Sequence, residues 1–479
     1  MPKYGFLIDN RKCIGCHACT VACKQEHEVP LGRFRTWVKY VEQGAFPETR
    51  RHFSVMRCNH CERPPCVAIC PVTALYKRDD GIVDFDPEVC IGCKACMQAC
   101  PYDALFIEPS GGAANKCNFC AHRIESRREP PCVTVCPEQA IVMGDLEDPE
   151  SLIRRLIEAH PVTVRAPEKA TRPQLYYIDG TPASLDPLAA PERQEYLWSQ
   201  STASSVPLAY TEEELQVLAR RTYDIGHERP WGWKVGAYLW TKSIASGAFL
   251  VPILLWMAGA WQVHDAVRGA WMALVFLGIT NVLLVADLKR PWKFLSILLR
   301  PQRKSWLVKG AYVLIGYGAV LSAFVVTPFS EARMLLLALG LPLSMMTAAY
   351  TAWLFEQCEA RDLWHSRWLA PHLVLQAVIA GSACLGVGAL LGAALLLEML
   401  VFLPLELRGH TRAGKQAAAI ITRGALSMFF WMGVVCLGHL LPLLLLASGF
   451  SLMAAVFALG GLLLWEHLYV VAGQAVPLS

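Results

Sequence analysis

The chain has 479 residues, and its 44 Lys and Arg against 40 Asp and Glu leave a formal charge of +4. That length allows two or three domains, and so small and scattered a charge excludes a nucleic-acid-binding stripe. Apolar residues make up 54% and charged ones 18%. They are unevenly divided: the chain is polar up to about Lys234, and beyond it long apolar runs exclude a wholly water-soluble protein.

The first element is a set of cysteines. Sixteen of the 19 fall between Cys13 and Cys136. Cys358, Cys384 and Cys436 lie in or beside apolar helices and read as small core residues. The opening Met-Pro-Lys-Tyr-Gly carries no n-region, no h-region and no twin arginine, so this half is expected in the cytoplasm. Disulfides are rare there, which makes the cysteines thiolate ligands.

They form four runs. The first is Cys13, Cys16, Cys19 and Cys23; the second is Cys58, Cys61, Cys66 and Cys70. The third is Cys90, Cys93, Cys96 and Cys100; the fourth is Cys117, Cys120, Cys132 and Cys136. Runs one and three have the ferredoxin spacing of two, two and three intervening residues. In such a run three close cysteines wrap one cubane and the fourth turns to a neighbouring cluster. Proline follows the last cysteine in three runs, and Lys24 stands there in the first. A lone C-x2-C pair would read as zinc, but four complete quartets predict four [4Fe-4S] clusters. Short strands are expected beside the runs, at Ala74-Leu-Tyr and Gly81-Ile-Val-Asp-Phe, with folding coupled to metal binding.

These residues resemble the four-cluster iron–sulfur subunits of the molybdopterin oxidoreductases, over about Tyr4 to Gly180. The likeness rests on CKQEHEVPLGRFR, RCNHCERPPCVAICP, NKCNFCAHRI and PPCVTVCPEQAI. It implies two interleaved ferredoxin-like modules of α+β type. Cys13, Cys16 and Cys19 would then share a cluster with Cys136, and Cys117, Cys120 and Cys132 would take Cys23. Cys58, Cys61 and Cys66 would take Cys100, and Cys90, Cys93 and Cys96 would take Cys70. The spacing alone says only that neighbouring runs exchange ligands.

The next stretch, about Glu138 to Trp231, reads as a bridge. Pro149 to His160 predicts a short amphipathic helix with Leu152, Ile153, Leu156 and Ile157 on one face. Pro, Ala and Ser are frequent up to Pro207, as in a tether. Thr211 and Glu214 form a capping box that opens a helix carrying Leu215 and Leu218. The expected division is a cluster domain over 1–180, a connector over 181–230 and a membrane domain over 231–479.

Eight apolar segments then follow: Ala237–Trp261, Ala266–Leu288, Trp306–Pro328, Met334–Phe355, Leu369–Gly386, Ala389–Leu407, Thr422–Ala447 and Phe450–Ala472. The join at Gly386 is so tight that residues 369–407 could form one span or two. The basic loops Lys289–Lys304, Arg361–Arg367 and Arg408–Arg423 fall on the side of the N-terminus, against only Arg268 and Arg333 opposite. The positive-inside rule therefore predicts an inner-membrane protein with its cluster domain in the cytoplasm.

This half resembles the NrfD-like membrane subunits of the polysulfide reductase type. The residues that carry it are Asp287-Leu-Lys-Arg-Pro-Trp-Lys-Phe294, Leu299-Arg-Pro301, Ser305-Trp306 and Gly310-Ala-Tyr312, with PWGWKVGAYLW and the ending VVAGQAVPLS. The likeness implies oxidation or reduction of a membrane quinone, menaquinone or ubiquinone, without haem. Ionisable groups inside a bilayer are costly and each needs a reason. Lys242, Asp287 and Tyr350 are the candidate catalytic groups, and Asn281 joins them as a quinone-binding residue. Helix counting puts all four in the half of the membrane nearest the clusters. Glu398 sits mid-span as a proton-path residue or a partner within the bundle. His439 is placed at the far side and His372 and His467 at the near side, an arrangement unsuited to paired haem ligation.

The expected function is electron transfer between a separate molybdopterin-containing catalytic subunit and the quinone pool. An energy-coupling complex without molybdenum and a cluster-regulated transporter are the rival readings. The former would bring c-type haem; the C-x-x-C-H at Cys13 to His17 falls inside the first cysteine quartet.

Overall fold

The computed structural model describes residues 2–45, 47–190 and 219–479. The chain divides into two compact units, 1–228 with 477–479, and 229–476. The capping box at Thr211 and Glu214, its helix, and Pro207 lie outside the described residues.

The first unit is α+β. Its strands are β1 (Tyr4–Asp9), β2 (Thr36–Ala45), β3 (Glu48–Arg57), β4 (Leu75–Lys77), β5 (Val83–Phe85), β6 (Leu105–Ile107) and β7 (Ala114–Lys116). They are followed by β8 (Ile141–Asp145), β9 (Val162–Thr163), β10 (Leu175–Ile178) and β11 (Arg220–Tyr223). One sheet has the order β8-β1-β10-β9, with β1 and β10 parallel and the other pairs antiparallel. A second has the order β11-β2-β3, and β4–β5 and β6–β7 are separate hairpins. The β4–β5 hairpin contains the two short strands expected beside the cysteine runs.

The bridge read from sequence is largely part of this unit. β8, β9 and β10 build the first sheet, and β11 completes the second. The amphipathic helix forms over Leu152–Ala159, and its fully buried Ile153 packs with Leu7 and Ile178 under the first sheet. Ser151 caps it by accepting a hydrogen bond from the Arg154 amide. The linker reading of 181–230 therefore fails at its C-terminal end, where Arg220–Tyr223 pairs with β2. The reason is long-range pairing: β8 meets β1 across the whole set of cysteine runs, and no local pattern announces it.

The second unit is all-α. Its spans are Trp233–Met257, Val263–Asp287, Trp306–Val326, Ser330–Glu356, Leu369–Leu385, Gly388–Glu406, Phe429–Ala447 and Ser451–Gly473. Seven are long and apolar enough to cross a bilayer, and Leu369–Leu385 is shorter. The tight join resolves into two helices. Gly386 adopts φ +73°, a left-handed conformation open to glycine, and ends the fifth span so that Gly388 can begin the sixth.

Spans one to four pack around Ala245, Phe249, Ala270, Tyr317 and Phe324. The first and fifth spans cross at Gly247 and Gly381, where a Cβ on either would overlap the other helix's backbone. Such small residues let helices approach closely where lipid supplies no hydrophobic drive.

Candidate functional site

The sixteen cysteines of the first unit are all free of disulfides and gather in four quartets. Cys13, Cys16, Cys19 and Cys136 line one small cavity. Cys23, Cys117, Cys120 and Cys132 line a second. Cys70, Cys90, Cys93 and Cys96 line a third. Cys58, Cys61, Cys66 and Cys100 lie within electrostatic reach of one another.

The loops explain how the sulfurs face inward. Gly15 and Gly92 both adopt φ +70°, and the matching His17 and Lys94 stand at φ 61° and 66°. The two ferredoxin-spaced runs therefore share one curled backbone; the first leads into a helix carrying Cys19 and Cys23, and the third into a short helix carrying Cys96 with Cys100 just past its end. A Cβ at Gly15 would strike the Phe53 ring. Backbone amides already aim at sulfur, from Ala114 to Cys90 at 3.3 Å and from Ala140 to Cys136 at 3.3 Å.

The chemistry of this donor set fits an iron–sulfur cluster. Burial pushes the thiols of Cys23, Cys93 and Cys100 up to about 12. Such thiols ionise at neutral pH only with a bound cation, and coordination deprotonates a thiol outright. Among the described residues no three His, Cys, Asp or Glu side chains converge on a point that would hold a single ion. Four cysteines to a quartet, with the ferredoxin spacing in two of the runs, are the donor set of a cubane.

Side chains that sequence reading did not single out surround the sulfurs. His27 Nε2 lies 3.1 Å from Cys120 Sγ, and Arg57 donates to Cys132 Sγ at 3.3 Å. Buried Lys116 donates to the carbonyls of Val83 and Cys117. None of these lies in a recognisable spacing, so only the structure finds them.

A separate charged group ties β2 to the C-terminal residues of the same unit. His227 Nδ1 is 2.6 Å from Asp103 and its Nε2 3.5 Å from Asp224. Asp224 accepts from Trp37 at 3.0 Å and from the Ser479 hydroxyl at 3.2 Å. Burial alone would lower the His227 pKa, but the two carboxylates outweigh it and raise it to about 9. Burial likewise opposes ionisation of Asp224, and hydrogen bonding and charge from His227 overcome it, holding it down to about 2.

In the membrane unit Lys242 is fully buried. Its ammonium donates to the Ala348 carbonyl at 2.8 Å and to the Thr351 hydroxyl, and it lies 5.1 Å from the centre of the Tyr350 ring. Gly310 packs against that ring with no room for a Cβ. Lys242 and Tyr350 thus come together. Asp287 is the half-buried last residue of the second span. Asn281 sits on the exposed face of that helix and does not join them.

A second buried group gathers around Glu398. His372 Nε2 is 3.0 Å from one carboxylate oxygen and His439 Nε2 3.1 Å from the other. Gln376 donates to the same carboxylate at 3.2 Å. Glu406 accepts from Tyr469 at 3.0 Å, and Glu466 accepts from Ser243, the neighbour of Lys242, at 3.0 Å. The far-side placement of His439 is therefore corrected: it meets the same carboxylate as His372. The seventh span begins at Phe429 rather than Thr422, because Arg412–Thr422 is a separate helix, so His439 lies deeper than expected. Both Glu398 and His439 fall in π-helical turns, which often mark functional positions. Glu466 and Glu406 are not singled out by the sequence analysis, although a charge inside an apolar run is a signal for such a role.

Fold and cysteine arrangement together define an iron–sulfur electron-transfer protein continued by a polytopic membrane domain. Residues 49–146 match the family model of the 4Fe-4S dicluster domain, and residues 224–391 match that of polysulphide reductase, NrfD. A tetrathionate reductase subunit of Salmonella typhimurium is 42% identical over 202 residues, 41% of this chain and 80% of the relative. A polysulfide reductase chain of Wolinella succinogenes is 40% identical over 182 residues, 37% of this chain and 94% of the relative. The thiosulfate reductase electron transfer subunit of Salmonella typhi is 43% identical over 151 residues, 31% of this chain and 79% of the relative. The protein belongs to the family of these reductase iron–sulfur subunits, with an NrfD-type membrane domain fused behind it.

Proposed function

We propose that this chain carries electrons between a molybdopterin-containing catalytic subunit and a membrane quinone, through four [4Fe-4S] clusters. The observation that carries this is the gathering of sixteen cysteines into four inward-facing quartets, in one chain with an NrfD-type domain. A bound cluster of this kind takes up and releases one electron at a time. Cys13, Cys16, Cys19 and Cys136 would hold one, and Cys23, Cys117, Cys120 and Cys132 another. Cys58, Cys61, Cys66 and Cys100 would hold a third, and Cys70, Cys90, Cys93 and Cys96 the fourth. The chain's own contribution is to exclude water and to aim amides and cations at the sulfurs.

In the membrane unit Lys242 is the group best suited to a quinone carbonyl. An ammonium has three donors. Two are engaged by Ala348 and Thr351, which fix the direction of the third. Tyr350 forms one wall of the site, and Asp287 sits at the helix end where a proton can pass to water. Glu466 and the Glu398–His372–His439 group extend a line of buried proton-holding side chains away from Lys242. The cluster unit faces the cytoplasm of a cell whose inner membrane holds the second unit, as the basic loops indicate.

Anaerobic purification in detergent, with whatever copurifies, tests this reading by iron, sulfide and molybdenum analysis and EPR. About sixteen irons per chain, four for each quartet, a molybdenum-bearing partner and cluster oxidation by a quinone analogue are expected. Zinc in place of iron, or four irons or fewer, would defeat it. Full iron with no partner and no quinone response would favour a cluster-regulated transporter instead.

A further inference from the structure

Arg57, the last residue of β3, is fully buried. Among the described residues no carboxylate pairs with it. Its guanidinium lies 4.5 Å over the Phe6 ring, and Nη1 donates to Cys132 Sγ at 3.3 Å. Nε and Nη2 find no protein acceptor. Its charge neighbours are Cys132, Cys117 and Cys19. Cys132 and Cys117 line the cavity that Arg57 also lines, and Cys19 lines the adjoining one. A cation buried without a partner is costly, so this position needs negative charge from outside the protein's own carboxylates. Among the described residues its charge neighbours are cysteines of two quartets.

We propose that Arg57 is a potential-setting residue shared by two adjacent clusters, which lets both hold an electron at once. The inference rests on the four-cluster reading above. Each cluster becomes one unit more negative on taking an electron, so neighbouring reduced clusters repel. A fixed cation between them favours each reduced form and offsets that repulsion, in a medium where screening is weak. The need is set by the reaction. Oxidation of one quinol to quinone releases two protons and two electrons, and two clusters of one-electron capacity take both.

The test is an EPR-monitored redox titration of the full chain with Arg57→Gln and Arg57→Lys. Iron and sulfide are first measured in the unsubstituted protein; a deficit there defeats the cluster reading itself, before any variant is made. With iron complete, Arg57→Gln is expected to lower two of the four midpoints. The fall should reach at least tenfold in each reduction equilibrium, about 59 mV for one electron. Arg57→Lys keeps the charge but not the forked donation to Cys132. It should shift the same two midpoints by less. Four unchanged midpoints in Arg57→Gln, or an equal shift in all four, would overturn the proposal. If Arg57→Gln does not retain iron, Arg57→Lys decides: two lowered midpoints support the proposal, and unchanged ones overturn it. Loss of iron in both variants would also overturn it, since packing rather than charge would then be the role of Arg57.

Discussion

Lys242→Met is the sharpest test of the membrane site. Methionine keeps most of the side-chain length and removes the ammonium. In the native protein two of its three donors are held by Ala348 and Thr351, so one remains for a quinone oxygen. A hydrogen bond from a charged donor contributes about 1.5–3 kcal/mol. At 1.4 kcal/mol per tenfold, its loss should lower kcat/KM for quinol by roughly 10- to 150-fold. The assay is stopped-flow reduction of the clusters by a quinol analogue, followed as visible bleaching, in the complete chain in nanodiscs. The substitution also strands two acceptors, so a folding defect must be told apart from a kinetic one. Thr351→Val, which removes one of those acceptors, serves as the control. It should cost stability with a smaller kinetic effect than Lys242→Met, since the ammonium and its Ala348 contact remain. A Lys242→Met rate within twofold of the unsubstituted protein would refute the role given to Lys242.

Other outcomes follow from the same geometry. Glu398→Gln breaks a buried carboxylate away from two histidines, and breaking such a pair costs about 3–5 kcal/mol; thermal unfolding of the membrane unit should fall clearly, while an unchanged midpoint would show the group to be unpaired in the membrane. His227 has its pKa raised to about 9, so its contribution is full below its unfolded value of 6.5 and is lost as pH rises through 9. Urea unfolding of the cluster unit should therefore weaken across that window, and His227→Phe should flatten the slope. Asp224, held down to about 2, contributes above its ordinary value of 3.8 and loses that contribution as acid protonates it. Iron chelation under reducing conditions should unfold the first unit while the helical circular dichroism of the second persists, and iron with sulfide, but not zinc, should restore it. Gly381→Leu forces a side chain into the backbone of the first span and should prevent a stable membrane unit, as a fluorescent fusion analysed by size-exclusion chromatography would report.

What the sequence disclosed was whatever depends on spacing or on runs. The cysteine quartets and the eight apolar segments needed no tertiary knowledge, since a C-x2-C-x2-C loop or a twenty-residue apolar run constrains its own structure. What stayed hidden depends on partners far along the chain. β8 and β10 flank β1 from more than a hundred residues away, and Tyr223 pairs with Tyr40. The depth of His439 was misjudged because Arg412–Thr422 is amphipathic and stops before the span begins, a break the apolar count passed over. Arg57 shows the limit most plainly. Its sequence neighbours give no reason for a buried arginine; the cavity it lines and its nearness to Cys19 of the adjoining quartet explain it.

The quartets are nested like brackets, and this orders their manufacture. A ribosome supplies Cys58 to Cys100 before it supplies Cys117 to Cys136. The two inner quartets, closed by Cys100 and by Cys96, can therefore be completed while the outer two still wait for Cys132 and Cys136. Until then Cys13, Cys16, Cys19 and Cys23 are half-sites at the front of an unfinished chain, open to oxygen and to the wrong metal. Chain order thus lets the middle quartets close first and leaves the earliest-made cysteines to wait longest for their partners.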